Sequence, residues 1–282
     1  MTELKTTAIK QVKLLMLILK STENEIAQLI ADKHKYYYVS YKPKLDEHRK
    51  PRFDEHGNPV MRELNPSKGR LKEIQKIINS RILTAIPLPT NVKGGVKGYS
   101  NIANAAVHLG KKYKFKTDMK SYFPSVSFER VFQMFLDNGF SAKVASILTH
   151  LTTHKHALPQ GTPTSSTLAN LIFLPYDHQV IAFCKIHKLT YTRFIDDLVF
   201  SSQKDFSELC CDLIAFILNA GFKVSYKKTQ YKAGKMEITG VLTKLNVLDS
   251  TPVMKELIAD QSFTTKATAG RQLYHRNIRQ FK

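Results

Sequence analysis

Apolar residues recur along this chain at two periods, one helical and one extended, and the switches between them mark out its elements. Residues 6–34 read as two helices. Thr22-Glu23-Asn24-Glu25 has capping-box spacing ahead of Ile26, Leu29 and Ile30, so the second helix opens there. Tyr36–Tyr41 is strand-like, Lys42–Pro59 is a charged insert punctuated by Pro and Gly that suits a loop or loose hairpin, and Val60–Leu64 is a short strand stopped by Asn65-Pro66. Leu71, Ile74, Ile78 and Ile82 then form the stripe of a helix over about Lys68–Leu83. Residues 84–100 read as loop, Asn101–Leu109 as a helix ended by Gly110. In Tyr113–Asp118 the period changes to two: Tyr113, Phe115 and Thr117 share one face, Lys114, Lys116 and Asp118 the other. Helices are expected over Phe128–Asn138 and Ser141–Thr153. The rigid loop Leu158–Pro163 feeds another over Ser166–His187, bent near Pro175. Leu189–Phe194 and Leu198–Ser202 read as strands around a tight turn, although that turn lacks an Asn-Gly or Asp-Gly pair. After a helix over Phe206–Ala220, a basic strand pair is expected at Phe222–Tyr226 and Glu237–Thr243. The last 30 residues read as one or two helices bearing Lys266, Arg271, Arg276, Arg279 and Lys282. With no internal repeat or long linker, one continuous domain with subdomains is expected.

Composition sharpens this α+β outline. A net charge of +20 over 282 residues favours a polyanionic partner, nucleic acid before an anionic membrane surface. The apolar run Leu14–Leu19 is too short for a spanning helix or a signal segment, so no membrane partner is expected. Three cysteines without C-x-x-C spacing suit buried thiols in a reducing cytosol, hence a cytoplasmic protein. Residues 222–235 carry five lysines and no acid, a surface suited to a phosphate backbone.

The adjacent pair Asp196-Asp197 sits between two apolar strands, where side-by-side carboxylates repel. An isolated pair can be a solvated turn, and Asp118 alone can be a strand terminator. Together the three suit a different purpose, because hard divalent cations prefer carboxylate oxygens. An antiparallel sheet would set the end of the Asp118 strand beside the turn. Three carboxylates can then hold two ions about 3.5–4 Å apart for in-line displacement at phosphorus. Cationic groups must surround the triphosphate, and Arg62, Lys227 and Lys228 supply them. His150, His154 and His156 lack a matching Cys or carboxylate and read as surface histidines at a helix end.

In these motifs the chain resembles a reverse transcriptase, most closely the bacterial retron type, over about Met61–Thr243. Asp118 with Phe123 five residues on is similar to the first catalytic motif of that family. Leu158-Pro159-Gln160-Gly161 through Ala169-Asn170 resembles its template- and nucleotide-holding loop and helix. Phe194-Ile195-Asp196-Asp197 stands where the family has its catalytic hairpin, and Lys228-Thr229 resembles the lysine motif that follows. Asn104-Ala105-Ala106-Val107-His108 resembles the retron NAxxH motif, and Ile238-Thr239-Gly240 its VTG motif.

The resemblance implies a right-hand polymerase fold: N-terminal helices and fingers over 1–110, palm with part of the fingers over 111–243, and a short basic thumb over 244–282. It implies Asp118, Asp196 and Asp197 as catalytic metal ligands for two Mg²⁺ ions, with Mn²⁺ possible. Arg62, Phe123, Gln160, Gly161 and Lys228 would bind the incoming nucleotide, Phe123 excluding a 2′-hydroxyl. Asn104, His108, Lys223, Lys227, Lys232, Lys235, Ile238, Thr239 and Gly240 would contact RNA. The implied activity is RNA-directed DNA polymerisation on a structured noncoding RNA that serves as template, its use as primer left open, with dNTPs as substrates and DNA as product. A role in bacterial antiphage defence with an accessory effector protein is implied too. A group II intron or diversity-generating enzyme, and a non-catalytic RNA-binding scaffold, stay open as alternatives. RNase H, endonuclease and integrase segments are not expected. Phe194-Ile195 replaces the usual Tyr-Ala, which removes a hydroxyl and crowds the floor of the site, so altered fidelity or template handling is expected. Ser166-Thr167 replaces the usual Ser-Pro of the second motif.

Overall fold

The computed structural model describes residues 9–45, 51–260 and 265–281. The expected helix start at 6–8, insert residues 46–50 and Lys282 lie outside the described residues, as does the side chain of Lys266. In chain order the elements are α1 (Val12–Leu19), α2 (Glu23–Ala31), β1 (Ser40–Pro43), β2 (Met61–Leu64), α3 (Gly69–Arg81), α4 (Asn101–Ala106), β3 (Tyr113–Asp118), α5 (Tyr122–Ser125), α6 (Phe128–Asp137), α7 (Ala142–Thr152) and α8 (Ser165–Ile186). They continue with β4 (Thr190–Phe194), β5 (Asp197–Ser202), α9 (Cys210–Asn219), β6 (Gln230–Ala233), β7 (Met236–Ile238), β8 (Val241–Thr243), β9 (Leu248–Ser250), α10 (Pro252–Ala259) and α11 (Thr265–Gln280). Helices combine with antiparallel sheets, the α+β class expected. Among the described residues no helix is long and apolar enough to cross a membrane.

The backbone divides into two compact units, Met1–Leu88 with Ser121–Leu174, and Pro89–Lys120 with Pro175–Lys282. In the first, Leu15 and Leu19 of α1, Ile26 and Leu29 of α2, Leu71, Ile74 and Ile78 of α3, and Leu148 and Leu151 of α7 are buried. Gln75 crosses this core as a fully bonded polar tie. Its amide nitrogen donates to the Tyr37 hydroxyl (3.0 Å) and the Leu151 carbonyl (2.8 Å), and its oxygen accepts from Ser67 (2.6 Å).

The second unit is built on the sheet β4-β5-β3-β6, antiparallel throughout. A smaller sheet β7-β8-β9 joins it through an apolar cluster of Ile102 and Ala105 of α4, Val199 of β5, Met236, Ile238, Val241, Leu248 and Ile278. The strand Tyr113–Asp118 has the expected bounds. Its polar face is not solvated as the alternation suggested: Lys114 is fully buried, and its Nζ donates to the carbonyls of Lys111 (2.6 Å) and Gly234 (2.8 Å).

Three expected elements differ. Tyr36–Tyr41 is not one strand: Lys33–Tyr36 is a 3₁₀ turn and the strand starts at Ser40, because Tyr37 turns inward to Gln75. Phe222–Tyr226 forms no strand. Its amides are spent on other partners, Phe222 N on Ile217 O and Ser225 N on Asp118 O, and Gln230–Ala233 takes the place beside β3. Glu237–Thr243 is two short strands rather than one, broken by the turn Thr239-Gly240. Helix α8 passes Pro175 unbroken, and the boundary between the two units falls at that residue.

Candidate active site

Strand pairing alone brings the three expected carboxylates together. Phe194 pairs with Asp197, which leaves Ile195-Asp196 as a two-residue turn. Ile195 has φ +60°, a left-handed conformation that glycine usually supplies in such turns and that costs a β-branched residue about 1–2 kcal/mol. On the other side of β5, Asp118 pairs directly with Asp197 at the end of the β3–β5 ladder. The Met119 amide donates to the Asp196 carbonyl (2.9 Å), so the turn is tied to the chain just after Asp118. One carboxylate oxygen from each of Asp118, Asp196 and Asp197 lies within 4.8 Å of the others, the only such acidic or metal-ligating group among the described residues.

The electrostatics follow from that crowding. Burial, then the charges of Asp196 and Asp118, push the Asp197 carboxyl up to about 8. Lys228 reaches in from the 3₁₀ turn Tyr226–Lys228, its Nζ 2.6 Å from Asp118 Oδ2. Partial burial pulls the lysine pKa down, but the bond to Asp118 and the charges of the three carboxylates outweigh it and hold the pKa above its ordinary value. Three hard oxygen donors whose mutual repulsion is this strong fit a divalent cation, which would relieve it.

The expected nucleotide contacts other than Lys228 lie in the first unit. Arg62 is exposed on β2, opposite Lys42. The same segment docks on the Pro159–Gly161 loop: the Asn65 amide donates to the Gln160 carbonyl (2.9 Å), and Gly161, at φ +98°, packs on Pro66. Arg62, Gln160 and Gly161 are thus held by one local arrangement. Phe123 is half-buried on α5, edge-on to Tyr122, whose hydroxyl donates to the Ala169 carbonyl (2.7 Å).

The residues expected to meet RNA divide into two groups. Lys223, Lys227, Lys232 and Lys235 are exposed. Asn104, His108 and Ile238, by contrast, are fully buried. The Asn104 amide donates to Thr239 Oγ1 (3.3 Å), and the Asn101 amide to the Thr239 carbonyl (3.0 Å). Thr239 and Gly240, both half-buried with positive φ (47° and 82°), form the β7–β8 hairpin turn. His108 bridges two strands, Nδ1 to Ser201 Oγ and Nε2 to Thr192 Oγ1, each at 2.7 Å. Burial, helped by Lys114 and Lys111, pushes its imidazole down to about 3, so it stays neutral. These two motifs brace the second unit from inside. Of the three histidines, His150 packs on Phe128 and His154 stacks on Tyr37.

Two buried charges that sequence reasoning passes over support the turn. Arg193 and Asp177 are both fully buried and paired, 2.5 Å from Nη2 to Oδ2. The available signal was an arginine inside an otherwise uncharged strand, two residues before the Ile195-Asp196 turn.

The reverse transcriptase (RNA-dependent DNA polymerase) family model matches residues 59–243. The chain is 32% identical over 203 residues to the Retron Mx65 reverse transcriptase of Myxococcus xanthus, a match covering 64% of this chain and 48% of that protein. It is 32% identical over 171 residues to the Retron Ec86 reverse transcriptase of Escherichia coli, covering 60% and 53%. It is 36% identical over 151 residues to the Retron Se72 reverse transcriptase of Salmonella heidelberg (strain 579083-10), covering 53% and 40%. The chain thus spans about half the length of the curated relatives it matches.

Proposed function

The chain belongs to the reverse transcriptase family, and from that premise we propose that it is an RNA-directed DNA polymerase of the retron type, copying an associated structured noncoding RNA into DNA. The observation that carries this reading is the convergence of Asp118, Asp196 and Asp197, with one oxygen from each inside 4.8 Å. A scaffold that only binds RNA has no need of three mutually repelling carboxylates at the end of a buried strand pair. In this reading residues 111–243 are the palm with part of the fingers, 1–110 the N-terminal helices and fingers, and 244–282 a short basic thumb.

Asp118, Asp196 and Asp197 would hold two Mg²⁺ ions, or Mn²⁺ in their place. Such ions, when bound, activate an attacking 3′-hydroxyl and offset the charge on the leaving pyrophosphate. The protein's own groups do the rest. Arg62 clamps the triphosphate through its planar fork, and Gln160 and Gly161 shape the nucleotide contact. Phe123 lies under the sugar and rejects a 2′-hydroxyl. The Lys228 ammonium, kept charged beside Asp118, is the group able to pass a proton to pyrophosphate. Lys223, Lys227, Lys232 and Lys235 follow the nucleic-acid backbone. The RNA serves as template. A bacterial antiphage role with an accessory effector protein completes the proposal.

Primer extension on poly(rA) with dTTP and Mg²⁺ or Mn²⁺ tests it. Deoxynucleotide incorporation that disappears in Asp196→Ala supports the reading. Tight RNA binding without incorporation refutes it in favour of a scaffold, and incorporation of ribonucleotides refutes the role of Phe123. Sequencing the RNA that copurifies, together with the DNA made from it, tests the template assignment.

A further inference from the structure

The turn Ile195-Asp196 holds a conformation that isoleucine disfavours, and such strain persists only where surrounding structure over-determines it. What over-determines it here is a chain of contacts inside the second unit. Arg193 Nε donates to Asp177 Oδ1 (2.9 Å) and Nη2 to Oδ2 (2.5 Å), a bidentate fork anchored on α8. The Tyr191 hydroxyl donates to the same Asp177 Oδ1 (2.8 Å). The remaining guanidinium nitrogen, Nη1, turns along its own strand and donates to the Ile195 carbonyl (2.8 Å). That carbonyl belongs to the peptide unit that carries the Asp196 amide. Fixing its plane fixes the backbone from which the Asp196 carboxylate projects.

The opposite side of the strand is held as well. The Arg193 amide donates to the Asn91 carbonyl (2.9 Å), the Lys93 amide donates to the Arg193 carbonyl (2.8 Å), and the Asn91 side chain donates to the Tyr191 carbonyl (2.9 Å). Gly94 then lies flat against the turn. A Cβ there would sit 2.5 Å from Ile195 N and 2.7 Å from Phe194 C, closer than any carbon can approach backbone. A buried ion pair adds little net stability over apolar residues of the same volume, so its worth here is geometric.

We propose that Asp177 and Arg193 form a positioning clamp, backed by Gly94, that holds the Ile195-Asp196 turn in its left-handed form and so presents Asp196 for shared cation binding with Asp118 and Asp197. The proposal rests on the metal-binding reading of that cluster. It adds an arginine and an aspartate that touch neither cation nor substrate, and a glycine that no motif marks.

The test uses the full chain and Mn²⁺ alone as probe, titrated by the EPR signal of the free ion, alongside thermal unfolding and primer extension. The variant Asp177→Leu/Tyr191→Phe/Arg193→Met replaces the buried polar group with apolar residues, and Gly94→Ala pushes the turn from outside while leaving the ion pair intact. Both are expected to weaken Mn²⁺ binding by roughly 10–100-fold, the usual effect of losing partners behind a metal ligand, and to lower kcat similarly with KM for dTTP nearly unchanged. The triple variant should unfold at a temperature close to wild type, which a purely structural role for the pair would not pair with weaker Mn²⁺ binding. Wild-type Mn²⁺ affinity and kcat in either folded variant overturn the clamp while leaving the polymerase reading intact. Wild-type protein that binds Mn²⁺ but extends no primer, with both variants binding it weakly, sinks the polymerase reading and upholds the clamp.

Discussion

Removing one charge from the carboxylate cluster should stabilise the metal-free protein, and the effect should appear only above a definite pH. Asp197 has its carboxyl pushed up to about 8 from an ordinary 3.8 by burial and by Asp196 and Asp118. Between those values the native state holds a proton that the unfolded chain has released, so stability falls as pH rises and the whole penalty is present above pH 8. His108 acts in the opposite sense. Its imidazole is pushed down to about 3, so the unfolded chain binds the extra proton below about 6.5, and stability rises with pH there. His150 and His154, also lowered by burial, add to that rise. The clean window is therefore pH 6.5 to 8, where the carboxylate cluster acts alone among these groups. At about 1.4 kcal/mol per pH unit the change across it is at most about 2 kcal/mol. Asp197 is partly exposed, which reduces this to about 1–2 kcal/mol, or about 2–4 °C in Tm for a chain of this size. The assay is thermal unfolding in chelator at steps of pH, with wild type beside Asp197→Asn. Wild type should lose stability from pH 6.5 to 8 and Asp197→Asn should not, so that the variant is the more stable of the two at pH 8. Mg²⁺ should raise the wild-type Tm more at pH 8 than at 6.5, because proton and cation compete for the same oxygens. Parallel curves for the two proteins across this window, without metal, would refute the reasoning.

Three other outcomes are expected. Lys228→Met removes the ammonium 2.6 Å from Asp118 and should slow single-turnover dTTP incorporation about 100-fold, with a loss below about threefold counting against proton transfer or charge stabilisation by this group. RNA affinity should fall steeply with salt, and Lys223→Ala with Lys227→Ala should each flatten the log–log slope by roughly 0.7–0.9. His108→Ala should leave that slope alone and instead cost about 2–4 kcal/mol in urea unfolding, through the stranded hydroxyls of Ser201 and Thr192. Phe123→Val should raise ribonucleotide incorporation relative to deoxynucleotide by roughly tenfold, measured as a ratio of kcat/KM values, and an unchanged ratio would remove Phe123 from sugar selection.

What could be read from the sequence, and what could not, divides along the range over which each residue acts. Asp118, Asp196 and Asp197 were legible because adjacent carboxylates between apolar strands demand a local explanation, and a period-two strand ending in a third one supplies it. The bounds of β3 follow from alternation within six residues, and the β4–β5 hairpin was legible to within one residue from two β-branched and aromatic runs. Phe222–Tyr226 misled because its β-branched and aromatic content says nothing of where its amides go: the last turn of α9 claims one through Ile217, and Asp118, far back along the chain, claims another. Asn104, His108 and Thr239 carried a recognisable pattern but not its meaning. Polar residues in a motif suggest a ligand, whereas here the Asn104 amide nitrogen bonds Thr239 and His108 bonds two strands of the four-stranded sheet. Arg193 and Asp177 were the hardest, since they stand 16 positions apart across helix, loop and strand, two ordinary charges that only the folded chain reveals as fully buried partners. The chemistry of such a site is written in residue type and spacing. Its precision is written in the contacts behind it, where an isoleucine can keep a glycine's conformation only because an arginine, an aspartate and Gly94 leave the turn nowhere else to go.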